Sequence, residues 1–189
     1  MTNINIFDIF KNSTSTIRQI SKDDSNNEYM TDCNLMAINF DKVSKKYCKN
    51  LSLFSVESND ALFALKNGKC TTFIEFKNGY IDKTTQYKLV KKIYDSMLVF
   101  MDVTKTNISE TRDFLNYILV YNENKNADNP KTEYHESESR DFIDKTILEY
   151  GKEVHIKYGL DFFKGYCFKE VNTYTKKEFE NLFVSKLLI

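Results

Sequence analysis

The stretch "SNDALFALKNGKCTTFIEFKNG", residues 58–79, decides the fold because it predicts a β-hairpin. Two runs typical of strands flank the dipeptide Asn67-Gly68. Asn-Gly favours a type I′ turn, since both central residues of that turn need positive φ. Residues 60–66 are therefore expected to pair antiparallel with residues 69–75.

The predicted register brings two acidic side chains together. With a two-residue loop, Asp60 lies directly across from Glu75, and side-chain alternation places Lys77 on the same face and Phe76 on the other. Opposed like charges destabilise a sheet unless something between them compensates. Two carboxylates, with the Phe76 carbonyl and waters, suit Mg²⁺ or Mn²⁺ better than zinc. The alternative is a solvated surface hairpin that carries acidic and basic residues.

These residues resemble the PD-(D/E)xK nuclease superfamily, which includes restriction endonucleases, junction resolvases and several exonucleases. Asp60 stands fifteen positions before Glu75-Phe76-Lys77, and the apolar run "TTFIEF" leads into the Glu-x-Lys. The resemblance implies that Asp60 and Glu75 are metal ligands and that Lys77 positions or activates water. It also implies a catalytic contribution from Gln86, for which a solvated helix residue is the alternative.

The predicted elements follow the order of the superfamily core, which is helix, three-stranded meander, helix, strand. Residues 41–51 predict a helix with Asp41 as its N-cap, and "LSLFSV", residues 51–56, predicts the first strand. Apolar residues at helical spacing predict a long second helix over 84–102. The run "FLNYILVY", residues 114–121, predicts a buried strand that closes the sheet.

We therefore expect an α/β fold with a restriction-endonuclease-like αβββαβ core, a central mixed four-stranded sheet flanked by helices and a C-terminal α+β extension. Asn59 departs from the pattern by standing where the superfamily has its nominal Pro. The chain is expected to form a single domain over residues 1–189, with an N-terminal extension (1–39), the core (40–122), a loop (123–137) and a C-terminal elaboration (138–189).

The two flanking segments carry weaker patterns. Residues 1–32 predict a short amphipathic piece followed by a loop. Residues 140–150 predict a helix, and residues 162–174 one or two strand-like pieces. The capping box from Thr175 to Glu178 predicts a final amphipathic helix.

Charge is unevenly distributed along the chain. The formal net charge is zero, which argues against a strongly basic nucleic-acid-binding protein, but residues 40–105 carry 12 Lys and Arg against 7 Asp and Glu. A lysine-rich solvated face is one interpretation. The other is a rim that contacts phosphates, for which the candidates are Lys45, Lys49, Lys83, Lys88, Lys91 and Lys92.

The four cysteines show no CxxC spacing and no nearby histidine, so neither a zinc site nor a disulfide framework is predicted. They are expected to be reduced core residues, as in the cytoplasm. The sequence shows no signal-peptide pattern and no apolar stretch of membrane-spanning length. We expect a cytoplasmic protein without a membrane partner.

The favoured function is a Mg²⁺-dependent nuclease that hydrolyses phosphodiester bonds, with DNA favoured over RNA, in phage defence, restriction or a mobile element. The first alternative is a non-catalytic PD-(D/E)xK-like interaction module, such as an immunity protein or inhibitor. The second is an α/β binding protein in which the motif is coincidental. The sequence leaves a homodimer and a protein partner both open.

Overall fold

A six-stranded mixed sheet organises the protein in the computed structural model, which describes residues 6–65, 70–126 and 156–187. In chain order the strands are β1 (Thr14–Thr16), β2 (Lys22–Asp23), β3 (Glu28–Tyr29), β4 (Met36–Asn39), β5 (Ala61–Ala64), β6 (Thr71–Lys77), β7 (Leu115–Tyr121) and β8 (Glu170–Thr175). Strands β2 and β3 form a separate hairpin. The sheet has the order β1-β4-β5-β6-β7-β8, with antiparallel pairs up to β6 and parallel pairs from β6 to β8.

Helices cover both faces of this sheet, so the predicted α/β class is confirmed. They are α1 (Ile6–Ile9), α2 (Ile17–Ile20), α3 (Phe40–Asn50), α4 (Lys83–Thr104) and α5 (Ile108–Phe114). A C-terminal helical segment consists of Lys176–Glu178, the π-helical Phe179–Val184 and Ser185–Leu187. Side chains of α3 and α4 share one buried cluster with the sheet, and those of α2 and the C-terminal segment share the other.

Aromatic contacts hold the layers together and show which way each strand residue faces. Phe73 of β6 meets Phe40 of α3 edge to face at 4.8 Å between ring centroids, and Phe100 of α4 at 5.7 Å. Phe76 instead meets Phe179 on the opposite side at 5.7 Å. Because side chains alternate along a strand, Glu75 faces the α3 and α4 layer, as does Phe73.

The predicted hairpin register is confirmed. Ala61 pairs with Ile74 and Leu62 with Phe73, which is the alignment that a two-residue loop gives. The turn itself, residues 66–69, lies outside the described residues. Both strands are buried on both faces, as expected for strands in the centre of a covered sheet.

Both predicted core helices form, although the cap of the first is a different residue. Helix α4 spans Lys83–Thr104, close to the predicted range, and Asp82 caps it by accepting from the Thr85 amide at 2.7 Å. The N-cap of α3 is Asn39, whose side chain accepts from the Lys42 amide at 3.0 Å. Asp41, the predicted cap, lies in the first turn, and its carboxylate accepts a hydrogen bond from the Ser58 hydroxyl.

The strand predicted over residues 51–56 does not form, and this prediction is wrong. The segment is an exposed loop that begins where α3 ends, and Phe54 is 97% exposed. The place beside β5 is taken by β4, through the pairing of Ile38 with Leu62. The order from residue 36 to 121 is consequently β-α-β-β-α-β before the short α5 is counted, in place of the predicted αβββαβ.

Both flanking segments contribute to the sheet, which therefore has six strands and not the predicted four. The N-terminal loop prediction is wrong, since β1 pairs with β4 and α2 begins with a capping box at Thr16. At the other end β8 pairs in parallel with β7. The capping box at Thr175 and the helical conformation after it are confirmed. The helix predicted over 140–150 lies outside the described residues, as does the predicted loop beyond residue 126.

Candidate active site

Two neighbouring strands position a pair of carboxylates. Asp60 immediately precedes β5, and the observed register, continued by one residue, sets it across from Glu75 of β6. The Phe76 amide donates to Asp60 Oδ2 at 2.7 Å, and the Asp60 carbonyl accepts from the Phe40 amide at 3.0 Å. The backbone of both neighbouring elements thus fixes Asp60 in place.

A lysine from α4 joins the two carboxylates. Lys92 Nζ lies 2.6 Å from Glu75 Oε1 and 3.2 Å from Asp60 Oδ1, so one ammonium group binds both side chains. Glu75 is only 1% exposed, while the side chains of Asp60 and Lys92 keep 19% and 20% of their surface exposed. These three residues form the acidic site, which is buried at Glu75 and open to solvent at Asp60 and Lys92.

Burial and like charge raise the pKa of both acids. Burial, followed by the charge of Asp60, raises the pKa of Glu75 to about 8. Burial also raises the pKa of Asp60, against the opposing effects of Lys92 and the Phe76 amide. Burial by itself would lower the pKa of Lys92, but the charges of Glu75 and Asp60 raise it above its ordinary value. The site thus keeps Lys92 charged, and Glu75 takes up a proton more readily than an exposed glutamate does.

The buried polar atoms without a hydrogen-bond partner among the described residues include Glu75 Oε2 and the Tyr117 hydroxyl. Tyr117 is fully buried in β7. Burial raises the pKa of Tyr117, and the charges of Glu75 and Asp60 raise it further. A buried carboxylate oxygen without a partner carries a desolvation cost, which a cation or a water beside it would relieve.

The donor set fits a hard divalent cation held with the help of waters. Across the described residues, no group of three or more His, Cys, Asp or Glu side chains is arranged to hold a metal. Asp60 and Glu75 offer two carboxylates, and Mg²⁺ commonly binds through one or two carboxylates while keeping several waters. The Phe76 carbonyl would be a further donor, because N–H and C=O of one residue in an extended strand point to the same edge, and the Phe76 amide faces Asp60.

The other predicted catalytic residues make no hydrogen bond or ion pair with Asp60, Glu75 or Lys92. Lys77, at the end of β6, is half-buried, and its charge opposes the rise in the pKa of Glu75. Gln86 is half-buried in α4, six residues before Lys92, which is about 9 Å along the helix axis.

The predicted lysine rim divides into two groups. Lys45 and Lys49 of α3 and Lys83, Lys88 and Lys91 of α4 are exposed. Lys91 also makes an ion pair with Asp95 at 2.6 Å. Lys92 lies inside the acidic site and away from the exposed rim.

The position of Lys92 in the site was not predicted from the sequence. The signal for it is its place on the helix, because Leu89 and Ser96, three residues before and four after, are both buried in α4. Residues at these spacings share one helix face. Asp41 was likewise predicted only as a cap, yet its charge contributes to the raised pKa of Asp60.

Comparisons of this chain with protein-family models, with curated proteins and with solved structures find no match. Among the helices of the described residues, none combines the length and the apolar character needed to cross a membrane.

Proposed function

We propose that this protein is a divalent-metal-dependent nuclease that hydrolyses phosphodiester bonds, with DNA favoured over RNA as substrate. The observation that carries the proposal is the cross-strand pair of Asp60 and Glu75, in which a buried oxygen of Glu75 lacks a hydrogen-bond partner among the described residues. Opposed carboxylates cost stability in a sheet. Metal binding would explain why two carboxylates face each other at this position.

Asp60 and Glu75 would hold Mg²⁺ or Mn²⁺, with the Phe76 carbonyl as an additional donor. When bound, the ion supplies a water of lowered pKa and offsets negative charge on the phosphate. Lys77 lies at the end of the same strand, where its ammonium group would orient the attacking water and stabilise charge on the phosphate. Gln86, near the start of α4, would assist in placing the substrate.

The exposed lysines of α3 and α4 supply attraction for a polyanion. Lys45, Lys49, Lys83 and Lys88 would contact phosphates without reading sequence, so their contribution should weaken as salt is raised. The resemblance of Asp60, Glu75 and Lys77 to the PD-(D/E)xK pattern supports the same activity. Phage defence, restriction and processing of a mobile element are the settings that we propose for it.

The decisive experiment is cleavage of a panel of single- and double-stranded DNA and RNA with Mg²⁺, with Mn²⁺ and with EDTA. We expect cutting that requires metal and is lost in the Asp60→Asn and Glu75→Gln variants. Lys49→Ala, a substitution on the exposed face of α3, is the matched control and should alter substrate affinity and salt dependence only. Absence of cutting by folded wild-type protein on every substrate would refute the proposal.

One observation favours a second function, a non-catalytic interaction module. The Lys92 ammonium group already compensates the two carboxylates at 2.6 and 3.2 Å, so the acidic site has an internal counterion. For such a module, the Asp60→Asn variant would leave partner binding unchanged. The same cleavage panel separates the two functions, since the module cuts none of the substrates.

A further inference from the structure

We infer that Lys92 is a built-in competitor of the metal ion: it neutralises Asp60 and Glu75 in the metal-free protein, and a divalent cation binds there by displacing its ammonium group. This inference rests on the proposed metal-binding role of the two carboxylates. It assigns to Lys92 a control over metal affinity. The role differs from the phosphate contact that the lysine-rich face of α4 predicts.

The geometry is that of direct competition. Lys92 Nζ binds one oxygen of each carboxylate, at 2.6 Å from Glu75 Oε1 and 3.2 Å from Asp60 Oδ1. It therefore lies between the two groups that a metal ion would bridge. The remaining oxygens have different environments, because Asp60 Oδ2 accepts from the Phe76 amide and Glu75 Oε2 has no described partner. A metal ion that binds both carboxylates would need space that overlaps with the position of the Lys92 ammonium group.

Electrostatics makes simultaneous binding unfavourable. A divalent cation beside a lysine ammonium group brings like charges together in a partly buried site, where they are less screened than in water. Lys92 keeps 20% of its side chain exposed, so the long side chain has solvent on one side into which its charged end can move. Glu75 is almost fully buried and has no such freedom. Asp60 is about as exposed as Lys92, but the Phe76 amide holds it, so the lysine is the member of the site that can move away.

Lys91 provides a matched control on the same helix. It is the adjacent residue, it is exposed, and it forms its own ion pair with Asp95 at 2.6 Å, so replacing it removes one positive charge from α4 without changing the ammonium group between Asp60 and Glu75. A nonspecific effect of net charge on metal affinity should appear equally in Lys91 and Lys92 variants. Direct competition should appear only in Lys92 variants.

The test measures Mn²⁺ binding by titration calorimetry and by the loss of the free-ion electron paramagnetic resonance signal. We expect Lys92→Met and Lys92→Gln to bind Mn²⁺ about tenfold or more tightly than wild type, and Lys91→Met to match wild type. Lys92→Gln keeps a hydrogen-bond donor near the carboxylates and protects the test against misfolding of the methionine variant. Unchanged or weaker binding in the folded Lys92 variants, or no binding by any protein, would overturn the inference.

A second measurement uses the wild-type protein alone. Reductive methylation of lysines, followed by peptide mass spectrometry, reports how accessible each ammonium group is. We expect Lys92 to react slowly in EDTA and clearly faster at saturating Mn²⁺, with the rate at Lys91 unchanged. Equal rates at Lys92 with and without metal would overturn displacement.

Nuclease activity enters neither readout, so the two proposals fail separately. Tighter Mn²⁺ binding in the Lys92 variants of a protein that cuts no nucleic acid would refute the nuclease and support the competition. Metal-dependent cleavage by wild type, combined with unchanged Mn²⁺ affinity in the Lys92 variants, would support the nuclease and refute the competition.

Discussion

The Lys92 ammonium group lies 2.6 Å from Glu75 Oε1 and so links the middle of α4 to the centre of the sheet. Glu75 is almost completely buried, and the link therefore compensates a charge that water cannot reach. Removing one partner of a buried ion pair leaves the other charge without compensation, which costs more than the pair contributes relative to apolar residues. The link is consequently a determinant of stability as well as of metal affinity.

Replacing Lys92 should destabilise the metal-free protein. We expect Lys92→Met to lower the free energy of unfolding in EDTA by about 2 kcal/mol, because Asp60 and Glu75 lose their shared counterion. Lys91→Met should change it by less than about 0.5 kcal/mol, since the pair with Asp95 is exposed on the lysine side. Urea denaturation gives both values. When Lys92→Met is combined with Glu75→Gln, the loss in free energy of unfolding should be clearly smaller than the sum of the two single losses. A loss equal to that sum would contradict the coupling between Lys92 and Glu75.

Glu75 should also give the stability a characteristic pH dependence. Its pKa is raised from 4.5 to about 8 in the folded protein, so the folded state holds this proton more tightly than the unfolded chain does. The resulting stabilisation is complete below pH 4.5 and is lost as the pH rises through about 8. The free energy of unfolding of Glu75→Gln, taken relative to that of wild type, should therefore rise by roughly 1–3 kcal/mol as the pH goes from 5 to 8 in EDTA. Urea denaturation at each pH measures this difference, with the exposed Glu57→Gln as control. If stability depends on pH in the same way in Glu75→Gln and in wild type, the raised pKa is not that of Glu75.

Local patterns predicted the parts of the fold that depend on neighbouring residues. The hairpin register follows from a short turn, and α4 follows from apolar spacing within one segment, so both were predicted close to their observed positions. Residues 51–56 are rich in apolar side chains, as strands often are, but a strand also needs a free neighbour. The edge of β5 is already paired with β4, whose buried Ala37 and Ile38 are too few to produce a pattern.

The candidate site also has one part that local sequence patterns predict and one part that depends on tertiary packing. Asp60 and Glu75 meet because one hairpin fixes their register, and a hairpin is a local structure. Lys92 reaches Glu75 only because α4 lies on this face of the sheet with a particular rotation about its axis. Helical spacing puts Lys92 on the face of Leu89 and Ser96, but which strand residue it meets depends on how the buried residues of α4 pack against the sheet.

The loop that replaces the predicted strand gives a simple test of the fold. Phe54 is 97% exposed, so Phe54→Ser should change the free energy of unfolding by less than about 0.5 kcal/mol. Val56, two residues on, is half-buried and packs against the cluster beneath α3 and α4, so Val56→Ala should cost about 1 kcal/mol. Thermal and urea denaturation compare the two variants. A loss of 2 kcal/mol or more in Phe54→Ser would instead indicate a packed strand.

Substitutions of Lys77 and of Lys92 should have different effects on cleavage kinetics, because only Lys92 contacts Glu75 directly. Lys92 binds the carboxylate directly, whereas Lys77 influences its pKa and lies at the end of β6, where a phosphate would approach. Under the proposed nuclease function, Lys77→Ala should lower kcat by about 100-fold or more with little change in Mn²⁺ affinity or thermal stability. Lys83→Ala, at the exposed start of α4, should mainly raise KM at high salt. Steady-state cleavage of the preferred substrate at saturating metal measures both. If Lys77→Ala keeps its kcat while Lys92→Gln loses it at saturating metal, the lysine that acts on the substrate is Lys92.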